Sequence, residues 1–229
     1  MEYLSKNLAV INEQIQQACT KSARLRDDVL LLGVTKTYEA DIINASIELG
    51  ITDIAENRVQ EIIRKYDDVT PGVNWHLIGH LQTNKVKYII DKVSMIHSVD
   101  SMKLAKEINK RAAGIDRVMD VLIQVNVAQE EQKFGVSYQD AYELAETIDN
   151  LTNVRVRGFM NIAPFVEDKE SLRGDFKQMR TLLERFRDNR PYADCLSMGM
   201  SNDFDVAIEE GTTMVRIGTG IYGKRDYVR

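Results

Sequence analysis

Lys36 closes the segment Gly33-Val34-Thr35-Lys36-Thr37, just past the uninterrupted apolar run Val29-Leu30-Leu31-Leu32-Gly33-Val34. A lysine at the end of a buried strand is partly desolvated, which disfavours its ammonium form and frees the amine to attack a carbonyl carbon. A strand-end lysine that simply reaches solvent fits the same position. Two glycine-bearing segments near the C-terminus offer complementary chemistry. In Ser197-Met198-Gly199-Met200-Ser201-Asn202-Asp203, Gly199 lets the backbone approach a ligand. Ser201 or Asn202 can then cap a following helix or donate to a phosphate. In Arg216-Ile217-Gly218-Thr219-Gly220-Ile221-Tyr222-Gly223, the glycines expose backbone N–H groups and Thr219 adds a hydroxyl, donors suited to a phosphate. A turn leading into a tail accounts for those glycines equally well.

Other constellations fail on spacing. The last segment contains a literal GxGxxG, but a dinucleotide site needs a helix and about 20 further residues before its acidic ribose ligand. The chain ends six residues after Gly223. His76 and His80 would meet on a helix, yet Trp75-His76-Leu77-Ile78-Gly79 reads as a strand. Four strand residues span about 13 Å, too far for one ion, so no metal site is expected. No Ser-His-Asp or Cys-His arrangement emerges either. Cys19 falls in the first helical pattern and Cys195 begins a strand, and both read as small buried residues. Arg216 is placed to face a ligand, where its guanidinium keeps its proton and donates, or else to form a salt bridge.

The elements that must position these residues alternate. Leu4, Leu8, Ile11, Ile15 and Ala18 make the apolar stripe of an N-terminal helix spanning about 3–24. Eight short strand patterns follow, at 29–34, 52–55, 75–79, 94–98, 118–127, 154–160, 194–198 and 213–217, nearly all separated by helical patterns. Alternation implies a parallel sheet, and eight units in this length fit a single (β/α)8 barrel over about 29–223. An open doubly wound sheet also alternates. In a barrel, the loops leaving the strand C-termini carry the chemistry. Those loops hold Lys36, Glu56-Asn57-Arg58, Gly79-His80, Asn126, Met160-Asn161, Met198 to Ser201, and Arg216 to Gly220.

Composition narrows the partners. The chain has 229 residues, 44% apolar and 28% charged, with 13 Gly and 3 Pro, so a sizeable core in one domain (1–229) is expected and disorder is not. A net charge of −5 argues against a nucleic-acid coat or an anionic membrane surface. No apolar run has the length of a membrane span and no signal-peptide core opens the chain, which reads as cytoplasmic. The polar stretch Gln82 to Lys87, with Arg58 near it in order, reads as a solvated helical face.

Taken together, these segments resemble the pyridoxal phosphate homeostasis protein family, related to the N-terminal barrel of alanine racemase. The resemblance is carried by Val34-Thr35-Lys36-Thr37, Glu56-Asn57-Arg58-Val59-Gln60-Glu61, His76-Leu77-Ile78-Gly79-His80-Leu81-Gln82-Thr83-Asn84-Lys85, Gly158-Phe159-Met160, Ser197-Met198-Gly199-Met200-Ser201 and Val215-Arg216-Ile217-Gly218-Thr219. It implies pyridoxal 5′-phosphate (PLP) held as a Schiff base on Lys36, with Ser201, Gly218 and Thr219 at its phosphate, Arg216 at its pyridine nitrogen, and Asn57 and Met198 beside its ring. The implied role is intracellular PLP homeostasis, with PLP-dependent apoenzymes as recipients. No robust catalysis is expected. Arg216 weakens the electron sink of the ring, and the chain ends at Arg229 without the domain that supplies a second base in the racemase. Loss of that domain also favours a monomer. A PLP-dependent amino-acid racemase is the alternative, and a Schiff-base lyase acting on a phosphorylated sugar is a third.

Overall fold

The structure is a computed structural model that describes residues 2–128 and 132–223. Helix α1 (Glu2–Lys21) buries Leu4, Leu8, Ile11, Ile15 and Ala18, the expected stripe, and ends three residues before its expected boundary. Strand and helix then alternate. They are β1 (Leu30–Val34), α2 (Ala40–Glu48), β2 (Asp53–Glu56), α3 (Val59–Lys65), β3 (Asn74–Leu77), β4 (Met95–Val99), α4 (Met102–Ala113), β5 (Met119–Asn126), β6 (Val136–Ser137), α5 (Tyr138–Asp149), β7 (Val154–Asn161), α6 (Arg173–Arg187), β8 (Cys195–Met200), α7 (Phe204–Glu209), β9 (Met214–Ile217) and α8 (Thr219–Tyr222).

The strands pair in parallel in the order β4-β3-β2-β1-β9-β8-β7-β5-β6, and β4 also pairs with β5. That last pairing closes eight strands into a barrel and leaves no open edge among them. Closure decides against the doubly wound sheet. Strand β6, absent from the sequence-based expectation, is a two-residue parallel addition to the end of β5 through Val125 and Asn126. The polar stretch expected as a solvated helix is a 3-10 helix over Thr83–Tyr88 that buries Val86.

Every second strand residue points inward. Leu32, Val34, Ala55, Ile78, Met95, Leu122, Met160, Cys195 and Met214 form the apolar filling of the barrel. The outward residues pack with the helices in a larger shell that holds Ile54, Leu77, Ile96, Phe159 and Phe186. A barrel filled this way is a solid core, so its ligands must sit on the rim. Helix α1 docks on α7 and α8, where Asn7 donates to the Ile221 carbonyl at 2.8 Å. Cys19 and Cys195 are buried free thiols. Burial pushes the Cys195 thiol up to about 12.

Candidate functional site

At the C-terminal ends of the strands lies a cavity of about 690 Å³. Lys36 lines it two residues past β1, Asn57 just past β2, Ser201 just past β8, Arg216 from within β9, and Gly218 and Thr219 from the turn into α8. Six of the seven residues read from the sequence as ligand-binding thus meet at one mouth. Met198 does not: it is fully buried in the outer shell, and Met200 lines the cavity instead. A register shift between Ser197 and Met200, with Gly199 at φ +88°, changes the alternation here. Ser197 and Met200 both face inward while Met198 faces the helices. Gly199 suits that conformation because a side chain there is strained.

Lys36 is half-buried, and the residues behind it are fixed. Thr35 is fully buried, and its hydroxyl donates to Glu56 Oε1 at 2.8 Å. Lys65 Nζ donates to Thr35 O at 3.0 Å and to the same Glu56 oxygen at 2.8 Å. Burial raises the Glu56 carboxyl above its ordinary range, and the nearby Lys65 ammonium opposes that rise. On the other side of Lys36, Thr37 has φ +74°, a left-handed conformation that a β-branched residue rarely adopts. Such strain concentrates where a neighbouring side chain must be aimed.

Arg216 is 4% exposed. It donates from Nη1 to Ser197 Oγ and from Nη2 to the Asn161 carbonyl, each at 2.7 Å. Burial lowers its pKa to about 10 and the charge of Asp203 opposes the fall, so it stays cationic at neutral pH. Asp203 itself is buried, accepts from the Met200 amide at 2.6 Å, and has its carboxyl raised by burial. Thr219 donates to Ser201 Oγ at 3.4 Å, which brings the two hydroxyls of the β8 and β9 loops side by side. The side-chain oxygens of Asn57 and Asn161 are buried without a hydrogen-bond partner among the described residues. Buried polar atoms are ordinarily satisfied, so the orphaned oxygen of Asn57, which lines the cavity, marks a place where something else completes the set.

The outer wall carries residues that the sequence reading had not assigned. His80 stacks on Phe134 with centroids 3.9 Å apart and planes at 13°. Phe165 is 85% exposed at the rim. Strand alternation cannot reveal these, because both phenylalanines lie in loops. His76 does not approach His80; it faces the barrel interior and meets His97 and Asp53. Among the described residues, no group of three His, Cys, Asp or Glu side chains could hold a metal ion, and no helix is long and apolar enough to cross a membrane.

Comparison with known proteins places these features in a family. The profile described as alanine racemase, N-terminal domain, matches residues 7–226. The pyridoxal phosphate homeostasis protein of Aquifex aeolicus is 45% identical over 97% of this chain and 98% of its own length. Its Escherichia coli K12 counterpart is 36% identical over 99% of each. Among solved structures, PipY of Synechococcus elongatus with PLP bound is 31% identical, with a TM-score of 0.82 over 96% of this chain and all of its own. An alanine racemase from Clostridium difficile shares the fold at a TM-score of 0.73 and 15% identity, and this chain covers 61% of it.

Proposed function

This chain belongs to the family of pyridoxal phosphate homeostasis proteins, built on the alanine racemase N-terminal domain, and we propose that it holds PLP on Lys36 for intracellular PLP homeostasis. The observation that supports this most directly is the convergence of Lys36, Arg216, Ser201 and Thr219 on one cavity. The donor set suits the group. An amine faces the cavity, a fixed guanidinium and the Asn57 amide with its orphaned oxygen offer polar partners, and two hydroxyls stand together beside a glycine turn. An amide presents either its oxygen or its NH₂ by rotation about one bond, so Asn57 can meet a donor or an acceptor.

When bound, PLP supplies an aldehyde, which condenses with an amine with loss of water, and a phosphate carried at the ring's periphery. Lys36 provides the amine. The buried Thr35–Glu56–Lys65 cluster holds its backbone in place, so the amine reaches the cavity from a rigid strand end. Ser201 and Thr219 donate hydroxyl hydrogens, and Gly218 leaves the backbone accessible beside them. Arg216 stays cationic at neutral pH, so it donates to an aromatic nitrogen and leaves that nitrogen unprotonated. Residues that keep the ring neutral withhold the electron sink on which strong PLP catalysis depends. The reading is therefore of a carrier that holds and releases PLP, without robust amino-acid turnover. It acts as a single-domain monomer in the cytoplasm, with PLP-dependent apoenzymes as recipients.

Reconstitution tests this. Wild-type protein mixed with PLP and passed over a desalting column is expected to stay yellow, and borohydride reduction to place a phosphopyridoxyl mass on the Lys36 peptide. Lys36→Ala is expected to lose both signals. A colourless wild type overturns the proposal. Exchange of α-deuterium from amino acids at about 1 s⁻¹ or faster would favour the racemase alternative.

A further inference from the structure

A polar chain crosses the apolar filling of the barrel. Arg216 Nη1 lies 2.7 Å from Ser197 Oγ, Ser197 Oγ 3.1 Å from His97 Nδ1, His97 Nε2 2.9 Å from His76 Nδ1, and His76 Nε2 3.0 Å from Asp53 Oδ1. All five residues are buried, from 0% exposed at His97 and Ser197 to 6% at Asp53. His97 is on β4 and Ser197 on β8, which are not neighbours in the barrel, so their contact bridges its interior. Asp53 opens β2, at the end of the strands opposite the cavity, and there it also accepts from Thr52 at 2.7 Å.

With both imidazoles neutral, the donor-only guanidinium at one end and the acceptor-only Asp53 carboxylate at the other set the direction of this chain. A guanidinium only donates, so Ser197 Oγ accepts from Arg216 and its own hydrogen is free for His97 Nδ1. His97 must then carry its proton on Nε2 and donate to His76 Nδ1. His76 in turn carries its proton on Nε2 and donates to Asp53. Every link is satisfied with two neutral imidazoles, a cation at one end and an anion at the other. The surrounding charges favour that state. Burial first, and the Arg216 guanidinium after it, hold His97 well below the ordinary imidazole value. Burial would raise Asp53, but the bonds from His76, Thr52 and Asn74 bring it below its usual value. At the cavity end, the other charged groups of the lining are Asp203, Lys36, Arg58 and Lys169.

We propose that Asp53, His76, His97 and Ser197 are positioning residues for Arg216, a one-way hydrogen-bond relay that holds the guanidinium at the cavity floor and reports the charge of Asp53 to the ligand nitrogen it faces. The second half of the proposal rests on the PLP reading above; the first does not. A proton added at His76 would reverse the relay. His97 Nε2 would have to accept, Nδ1–H would point at Ser197, and the serine hydrogen would lose its partner. The relay thus has two polarities, and the proton count of the His76–Asp53 pair selects between them.

The test combines ¹⁵N NMR of the histidines in PLP-free protein with absorbance titration of the PLP-loaded protein. In wild type, His76 and His97 are both expected as neutral Nε2–H tautomers at pH 7. Asp53→Asn is expected to mix the His76 tautomers. Ser197→Ala is expected to leave both tautomers in place, pinned from Asp53, and to shift the His97 Nδ1 resonance alone, and Ser197→Thr, which keeps the hydroxyl, to restore it. In loaded protein, Asp53→Asn is expected to move the pH midpoint of the visible band by about one unit, a tenfold change in proton affinity. An Nδ1–H tautomer at His97 in wild type overturns the relay, as does an Asp53→Asn variant with unchanged histidine signals. An unchanged midpoint in that variant overturns the coupling to the ligand. A wild type that takes up no PLP removes that coupling together with the site reading, and the histidine tautomers still decide the relay.

Discussion

Lys65 and Glu56 form a buried ion pair 2.8 Å apart, 1% and 0% exposed, and the Lys65 ammonium also donates to Thr35, the residue before Lys36. Both ionic groups are out of water, so their mutual attraction chiefly offsets a desolvation cost. Removing one partner leaves that cost uncompensated. Lys65→Met is expected to lose about 3–5 kcal/mol of unfolding free energy in urea at neutral pH, and Lys65→Met with Glu56→Leu to recover most of it. The loss should shrink as pH falls from about 8 to about 5. The folded-state pKa of Glu56 is raised, and without Lys65 it rises further, so the folded variant takes up a proton that the unfolded chain does not. A penalty that does not vary with pH would mean that Glu56 has found another partner.

Gly79 and Asn57 make a different kind of contact. A Cβ on Gly79 would lie 2.1 Å from the Asn57 carbonyl oxygen and 2.9 Å from its Cα, so backbone rather than a flexible side chain would have to move. Gly79→Ala is expected to cost about 1–3 kcal/mol, a fall of several degrees in Tm for a domain of this size. It should also weaken PLP uptake, since Asn57 is displaced within the site. Gly174, in the first turn of α6 with nothing near its Cβ position, is the control. Gly174→Ala is expected to gain up to about 1 kcal/mol and leave uptake unchanged. Equal effects of the two substitutions on uptake would remove Asn57 from the site.

The barrel was legible because each strand carries a signal that its neighbours repeat: a short apolar run, a helical pattern, a turn. The residues that line the cavity were legible for the same reason, since they follow strand ends. Met198, named only through the family resemblance, faces outward by plain alternation from Ser197, and Met200 takes the inward place because the bulge at Gly199 reverses the parity after it, which leaves no mark in hydrophobic alternation. Phe134 and Phe165 come from loops whose path no periodicity encodes. The relay was hidden differently. His76, His97 and Asp53 are 21 and 23 residues apart in sequence, and only strand register turns those spacings into contacts. Once β2, β3 and β4 are known to be neighbours, inward parity at Asp53, His76 and His97 is the signal that could have found it.

His97 should make stability depend on pH in a way that can be isolated. Its folded-state pKa lies well below 6.5, so above 6.5 neither the folded nor the unfolded chain protonates it, and its contribution is constant. Below 6.5 the unfolded chain binds a proton that the folded barrel refuses, and stability falls until pH reaches the folded value. One such group gives a slope of about 1.4 kcal/mol per pH unit at most. His97→Gln lacks that titration, while Glu56 and Asp203 remain in both proteins. The stability gap between wild type and His97→Gln, measured by urea unfolding, is therefore expected to narrow as pH drops below about 6.5. A gap that stays constant down to about pH 5 would place a proton on His97 in the folded state.

Ser201 and Thr219 stand 3.4 Å apart at the mouth and, on the proposed reading, donate to a phosphate rather than to a ring. A hydrogen bond to a charged acceptor contributes about 1.5–3 kcal/mol. Ser201→Ala is therefore expected to weaken PLP binding by about 10- to 150-fold in an absorbance titration. Pyridoxal, which has the aldehyde and the ring but no phosphate, should bind wild type and variant alike, because Lys36 and Arg216 are untouched. Thr219→Val should behave in the same direction with a smaller effect, since its hydroxyl donates to Ser201 and is exposed to water. Equal loss for PLP and pyridoxal would show that Ser201 supports the ring or the loop instead. The phosphate would then rest on backbone N–H groups of the turn at Gly218.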